Sequence, residues 1–153
     1  MKKMITLFSF IALTFACSSD DDAPAPEIKF PSDYLVEGSP WNFTDIELLR
    51  INYNPNNLTI AEAQTLFKNT YTGFKLDFQE NGTGSATLPD NSSYSFNWVL
   101  STDYKTLTLT GNAPATFTNV LITENKFLWS DTDYCVADGQ GDDVCADVRF
   151  TFE

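Results

Sequence analysis

The side chain that most often carries out acid–base chemistry in enzymes is missing from this chain of 153 residues. The chain contains no histidine, which excludes Ser-His-Asp and Cys-His catalysis and removes the commonest metal ligand. A pair of carboxylates could still hydrolyse a glycosidic bond. Asp77 and Asp147, however, alternate with apolar residues and are predicted to point away from the core. The sequence therefore predicts no catalytic residue, no cofactor and no metal centre.

Aspartates are frequent in two segments near the C-terminus, residues 131–133 and residues 138–143, where they stand beside Gly139 and Gly141. Such a composition suits Ca²⁺, which takes roughly six to eight oxygen ligands. The spacing matches no EF-hand loop. A solvated acidic loop is therefore the favoured interpretation, with a calcium site as the alternative.

The N-terminus is typical of a secretory signal peptide. A basic start that contains Lys2 and Lys3 precedes an apolar run from Ile5 to Ala16. This run is shorter than the ~20 residues that a helix needs to cross a ~30 Å hydrocarbon core. We expect residues 1–16 to be removed, and an uncleaved N-terminal anchor is the alternative.

Cys17 directly follows this apolar run and the small residue Ala16, and the segment resembles a bacterial lipoprotein lipobox. The resemblance implies diacylglycerol on the Cys17 thiol and a lipid anchor in the outer membrane. The next five residues, Ser18-Ser19-Asp20-Asp21-Asp22, resemble the acidic export signal of surface lipoproteins in the Bacteroidetes, with a plain solvated spacer as the alternative. Prolines follow, so residues 17–33 are predicted to form an extended tether before a domain at residues 34–153.

With Cys17 occupied by lipid, two cysteines remain, Cys135 and Cys145. An even pair in an exported protein predicts a disulfide, and a free, reactive pair is the alternative. Closing a loop of about ten residues would stabilise the fold by roughly 2.5–3 kcal/mol.

The domain that must position these groups is predicted to be all-β. Apolar and polar residues alternate with a period of two, most clearly at Tyr94–Leu100, and Asn81-Gly82 is the strongest hairpin signal. Thr59 and Glu62 form a predicted capping box for one short helix after the first strand, which we interpret as a lid or plug on the sheet. Eight strands in meander order would close into an up-and-down barrel without exposed edges; a two-sheet sandwich is the alternative.

Four motifs make residues 34–153 resemble the lipocalin-like lipoproteins of the Bacteroidetes. They are Gly38-Ser39-Pro40-Trp41, Glu80-Asn81-Gly82-Thr83-Gly84, Phe96-Asn97-Trp98 and Lys105-Thr106-Leu107-Thr108-Leu109. Lipocalins carry Gly-x-Trp at the barrel base, and an Arg from the last strand packs on the Trp. Here Gly38 and Trp41 stand one residue further apart, and the resemblance implies that Arg149 lies within about 6 Å of the Trp41 ring.

Aromatic residues make up 14 % of the chain and supply the candidate ligand-binding site. The candidates are Phe74, Phe78, Phe96, Trp98, Phe117 and Trp129. The interior of an eight-stranded barrel is just wide enough to be filled by its own side chains or to hold one small ligand. A self-filled core and a ligand pocket therefore both remain open.

These observations predict a lipid-anchored, lipocalin-like protein at the cell surface. We expect a non-catalytic binding module for a small apolar molecule or a glycan fragment. The alternative is a structural or adhesive surface domain that contacts proteins with the outside of the barrel, which exposed apolar patches would favour. The net charge of −12 argues against a nucleic-acid partner, because phosphates require Lys and Arg.

Overall fold

The computed structural model describes residues 27–153. The signal peptide, Cys17, the acidic run and most of the predicted tether lie outside the described residues. The elements are α1 (Pro31–Glu37), β1 (Trp41–Tyr53), α2 (Ile60–Tyr71), β2 (Lys75–Phe78), β3 (Thr83–Thr87), β4 (Ser93–Leu100), β5 (Thr106–Gly111), β6 (Ala115–Thr123), β7 (Lys126–Ala137) and β8 (Asp143–Phe152).

The eight strands form one closed antiparallel barrel in sequence order, in which β8 pairs with β1. The predicted eight-stranded up-and-down barrel is confirmed, and the sandwich alternative is wrong. Inward-facing residues alternate with outward-facing ones along most strands, as in β8, where Val144, Ala146, Val148, Phe150 and Phe152 are all buried. The alternation that predicted the strands is therefore also what fills the core.

The barrel wall is taller on one side than on the other. β1, β7 and β8 have 13, 12 and 10 residues, whereas β2, β3 and β5 have 4, 5 and 6. We call β1, β8 and β7 together the tall wall. β1 pairs with β8 from Phe43 to Tyr53 but with β2 only at Trp41 and Asn42, so most of the other edge of β1 has no partner strand.

The helix α2 covers this free edge. Its side chain Gln64 accepts a hydrogen bond from the Leu48 N–H at 3.2 Å and donates one to the Ile46 carbonyl. One carboxamide thus satisfies a donor and an acceptor that a neighbouring strand would otherwise pair. α2 also contacts β7, which lies on the far side of β8 from β1. The helix therefore lies across the inner face of the tall wall. Its residues Ala63 and Phe67 are fully buried there.

The other end of the barrel is closed by α1, a helix that the sequence analysis missed. α1 contacts β2 and β6, which lie on different sides of the barrel, and Leu35 is fully buried. Residues 31–33 were expected to be extended tether. Instead Pro31 occupies the first turn, where its missing N–H costs nothing, and Asp33 Oδ2 accepts a hydrogen bond from the Phe30 N–H at 2.7 Å.

The predicted disulfide is confirmed. Cys135 and Cys145 are directly opposite each other on β7 and β8 and form a bond of 2.02 Å. The bond joins two strands of the tall wall near the end that α1 does not close. The described helices, α1 and α2, are both too short to cross a membrane.

Substituting Gln64→Ala tests how much the free edge of β1 depends on this side chain. We expect a loss of about 1–3 kcal/mol in the free energy of unfolding, because the Leu48 N–H and the Ile46 carbonyl lose their partner. Urea denaturation of the full-length protein measures it. The exposed amide Asn69 on the same helix supplies the control, and Asn69→Ala should change stability by less than about 0.5 kcal/mol. Equal effects of the two substitutions would contradict the role given to Gln64.

Candidate functional site

A cavity of about 430 Å³ opens at the end of the barrel opposite α1. We call it the mouth. Its lining comes from the end of α2, the two turns that follow β3 and β5, and the inner faces of β4, β6, β7 and β8. The lining residues are Tyr71, Phe74, Leu88, Tyr94, Ala113, Pro114, Ala115, Thr116, Phe117, Trp129, Asp131, Tyr134 and Phe150.

Stacked aromatic rings form one side of the mouth. Trp129 lies nearly parallel to Phe117, with ring centroids 4.3 Å apart, and to Phe150, at 4.9 Å. Its indole also stacks at 4.6 Å on Phe152, which is fully buried. Stacked pairs of this kind contribute about 0.5–1.5 kcal/mol beyond the area they bury. These rings are therefore held in place by one another.

Three tyrosines line the mouth with these rings. The hydroxyls of Tyr71 and Tyr134 are hydrogen-bonded to each other, and both rings pack edge-on against Phe150. Burial raises the pKa of Tyr71 far above its ordinary value, and the hydrogen bond to Tyr134 raises it further. Burial also raises the pKa of Tyr94. Both phenols are therefore neutral at neutral pH and present polar but uncharged groups to the cavity.

Asp131 is the one charged residue in this lining. It continues the inward alternation of β7 after the buried residues Phe127 and Trp129. A register shift between Asp131 and Tyr134 then inserts an extra residue. As a result Asp133 is exposed, with a φ of 53°, and the next residue, Tyr134, faces the mouth. The bulge thus brings a carboxylate and a phenol to the same side of the cavity.

The acidic-loop interpretation therefore needs correction. Residues 131–133 belong to β7, and only residues 138–142 form the connection between β7 and β8. There the Asp138 carboxylate accepts backbone N–H bonds from Gln140 at 2.8 Å and Asp142 at 3.3 Å, which with Asn56 lower its pKa. Within residues 27–153, no three acidic, cysteine or histidine side chains form a metal-binding group.

The six predicted ligand-binding aromatics divide into two groups. Phe74, Phe117 and Trp129 line the mouth. Phe78 and Phe96 do not, because they are buried in the core with their ring centroids 5.5 Å apart. The remaining one, Trp98, lies towards the closed end.

Trp98 packs on Phe78 at 5.8 Å, and its Nε1 donates to the Thr83 carbonyl at 3.0 Å. It borders a surface cleft beside α1 rather than the mouth. The expectation that Phe78, Phe96 and Trp98 line a ligand cavity is therefore corrected. The part of the barrel nearer α1 is filled by its own side chains, and the opposite end, the mouth, is open.

The predicted contact between Trp41 and Arg149 at the base of the barrel is also corrected. Trp41 faces inward with 1 % exposure, and its Nε1 donates to the Leu35 carbonyl at 2.7 Å. Arg149 lies between the buried residues of β8 and points outward, where its guanidinium pairs with Glu47 at 3.0 Å. Gly38, and not Arg149, lies against the indole, since a Cβ at position 38 would clash with Trp41 Cζ2.

The two carboxylates considered for catalysis lie outside the mouth. Asp77 stands between the buried residues Leu76 and Phe78 of β2. Asp147 accepts a hydrogen bond from Asn52 at 2.7 Å and pairs with Arg50 at 3.0 Å. The hydrogen bond from Asn52 and the Asp133 N–H hold the pKa of Asp147 below its ordinary value. These contacts are typical of a hydrogen-bonded network of charged and polar side chains on the protein surface.

The sequence analysis named three of the thirteen lining residues, and those it missed include the tyrosines Tyr71, Tyr94 and Tyr134 and the carboxylate Asp131. The sequence does indicate that Asp131 faces inward, because Phe127, Trp129 and Asp131 follow a period of two. Tyr94 likewise begins the alternation of β4. Tyr71 ends a helix, and Tyr134 follows a bulge, so neither position could be assigned to the mouth from periodicity.

Comparisons of the chain with protein-family models, with curated proteins and with solved structures find no match.

Two phenylalanines test the boundary between the filled core and the mouth. Phe127 is fully buried and contacts the rings of Trp41, Phe78, Trp129 and Phe152. Phe127→Ala should therefore cost about 3–5 kcal/mol in the free energy of unfolding.

Phe117 is only partly buried and faces the mouth on one side, so Phe117→Ala should cost less than half as much. Urea denaturation of both variants compares them. Equal losses would show that Phe117 belongs to a closed core and that the mouth is not open.

Proposed function

We propose that this protein is a non-catalytic binding module that holds a small apolar molecule in the mouth. The observation that carries the proposal is an open cavity whose sides are preformed aromatic rings above a filled core. Its volume of about 430 Å³ lies in the range of roughly 300–1,000 Å³ that is usual for small-molecule sites. The tyrosine hydroxyls, Thr116 and Asp131 add the few polar groups that orient a ligand in such sites.

The rigidity of the rim supports this function. Trp129 and Phe150 lie on neighbouring strands of the tall wall, and the Tyr71–Tyr134 hydrogen bond ties the end of α2 to β7. Little side-chain ordering is then required when a ligand enters, and a preorganised site loses less free energy on binding.

The exterior of the barrel supports the adhesive alternative less well. Its exposed apolar residues include Leu49, Val99 and Leu121. These stand on β1, β4 and β6, which are not neighbouring strands, so the three do not form one contiguous patch. A continuous apolar surface is what marks a protein-contact site.

The position of the residues just before α1 suggests how the barrel is oriented at the membrane. Glu27 and Lys29 lie against α1 at the closed end, in the cleft that Trp98 borders. As part of the proposal, lipid on Cys17 anchors the protein in the outer membrane at the cell surface. Glu27 follows Cys17 by ten positions, and a chain of that length reaches at most about 35 Å. The closed end then lies nearer the membrane, and the mouth faces away from it.

Filling the mouth tests ligand binding. Ala115 lines the mouth and is partly buried, so Ala115→Trp should occupy the cavity with an indole and exclude the ligand. Leu49, which is 45 % exposed on the outer face, provides the matched control Leu49→Trp. Native mass spectrometry of the full-length protein purified from its host membrane measures bound small molecules directly.

We expect bound small molecules on the wild-type protein and on Leu49→Trp, and a loss of at least about tenfold in occupancy on Ala115→Trp. Equal occupancy on the two tryptophan variants would place the ligand elsewhere. The absence of any bound molecule from all three proteins would favour the adhesive alternative.

The anchor is tested separately by Cys17→Ser. Because the thiol is the proposed site of acylation, we expect this variant to leave the membrane fraction, while Ser19→Ala stays in it. One acyl chain binds membranes only marginally, and two or more anchor stably. Fractionation of cells followed by intact-mass measurement checks both. Retention of Cys17→Ser in the membrane would favour an uncleaved N-terminal anchor.

A further inference from the structure

We propose that the ligand of the mouth is an organic cation, with a primary or quaternary ammonium group on an apolar body. This inference rests on the proposed function and specifies the ligand class. It comes from the position of one carboxylate among aromatic rings.

Asp131 has no cationic partner in the described part of the chain. The five ion pairs among residues 27–153 all involve other carboxylates. Its Oδ1 accepts one hydrogen bond within this part, from the Thr132 N–H at 2.8 Å. Asp131 stands on an inward-facing position of β7, beside Trp129 and Tyr134. A cation in the mouth would supply the missing counter-charge.

The rings around Asp131 suit the same ligand. Tyr71, Tyr94, Tyr134, Phe117 and Trp129 line one cavity. The faces of aromatic rings attract ammonium groups, by about 0.5–2 kcal/mol per contact. Several rings with one carboxylate can hold an ammonium group without a metal or a basic residue. The apolar body of the ligand would occupy the remaining volume.

The negative charge of Asp131 at the mouth has the sign that this ligand requires. The carboxylate of Asp131 is one of the groups that raise the pKa of Tyr71, after burial and the contact with Tyr134. A field that disfavours a phenolate favours an ammonium ion at the same place.

Anionic ligands are disfavoured for the same reason. Neither Lys nor Arg is among the residues that line the mouth, and the chain carries a net charge of −12. A fatty-acid carboxylate would meet Asp131 without a compensating base. Selection against such anions therefore comes from repulsion as well as from the absence of a partner.

Three probes of similar shape and different charge test the proposal. They are 2-phenylethylammonium, 2-phenylethanol and phenylacetate, each titrated into the full-length protein in detergent at pH 7. Chemical shifts of the Trp129 indole N–H measure binding at the mouth. We expect the ammonium probe to bind about tenfold more tightly than the alcohol, and phenylacetate to bind more weakly than both.

The isosteric variant Asp131→Asn isolates the carboxylate. It should reduce the affinity for 2-phenylethylammonium about tenfold and leave the affinity for 2-phenylethanol unchanged within about twofold. Asp143→Asn is the matched control, because it removes the same charge from an exposed position on β8. It should leave all three affinities as they are in the wild-type protein.

The possible outcomes separate the two proposals. If the alcohol binds as tightly as the ammonium probe, or if Asp131→Asn and Asp143→Asn have equal effects, the ligand is not selected for charge and this inference is overturned. The proposed function then still stands on binding of the alcohol. If none of the three probes shifts the Trp129 signal, both proposals are overturned.

Discussion

The barrel depends on how the free edge of β1 is satisfied. β1 pairs with β2 only at Trp41 and Asn42, so a closed barrel of these strands leaves unpaired backbone groups in its wall. An open edge is both unstable and prone to pair with other chains. The carboxamide of Gln64 solves this by bonding the Leu48 N–H and the Ile46 carbonyl. α2 is therefore part of the wall as well as part of the core.

The mouth follows from this arrangement. α2 is bonded to β1 and lies across the inner face of the tall wall. Ala63 and Phe67 therefore fill the part of the barrel next to this wall, at the end opposite α1. The short strands on the other side leave space that the helix does not reach. Tyr71, at the end of α2, becomes one border of that space, and its hydrogen bond to Tyr134 connects the helix to β7. The position of the cavity is thus a consequence of unequal strand lengths.

Alternation of apolar and polar residues was enough to predict the strands, their order and the closed barrel, and the cysteine count predicted the disulfide. The helix α2 followed from the capping box of Thr59 and Glu62, which the structure contains. α1 was missed because Pro31 and the charged residues of this segment resemble a tether, and the burial of the helix depends on the contact of Leu35 with the barrel end. Which aromatics line a cavity could not be predicted, because periodicity gives the face of a strand but not the depth. Phe96 and Trp129 both face inward, yet only Trp129 reaches the mouth.

We propose the mouth as a ligand site and an organic cation as its ligand. The most direct test is the measurement of intermolecular nuclear Overhauser effects between 2-phenylethylammonium and the full-length protein. We expect contacts from the phenyl protons to Trp129 and Phe117, and from the methylene protons next to nitrogen to Tyr134. Contacts only to outer-face residues such as Val99, or no contacts at all, would contradict this proposal.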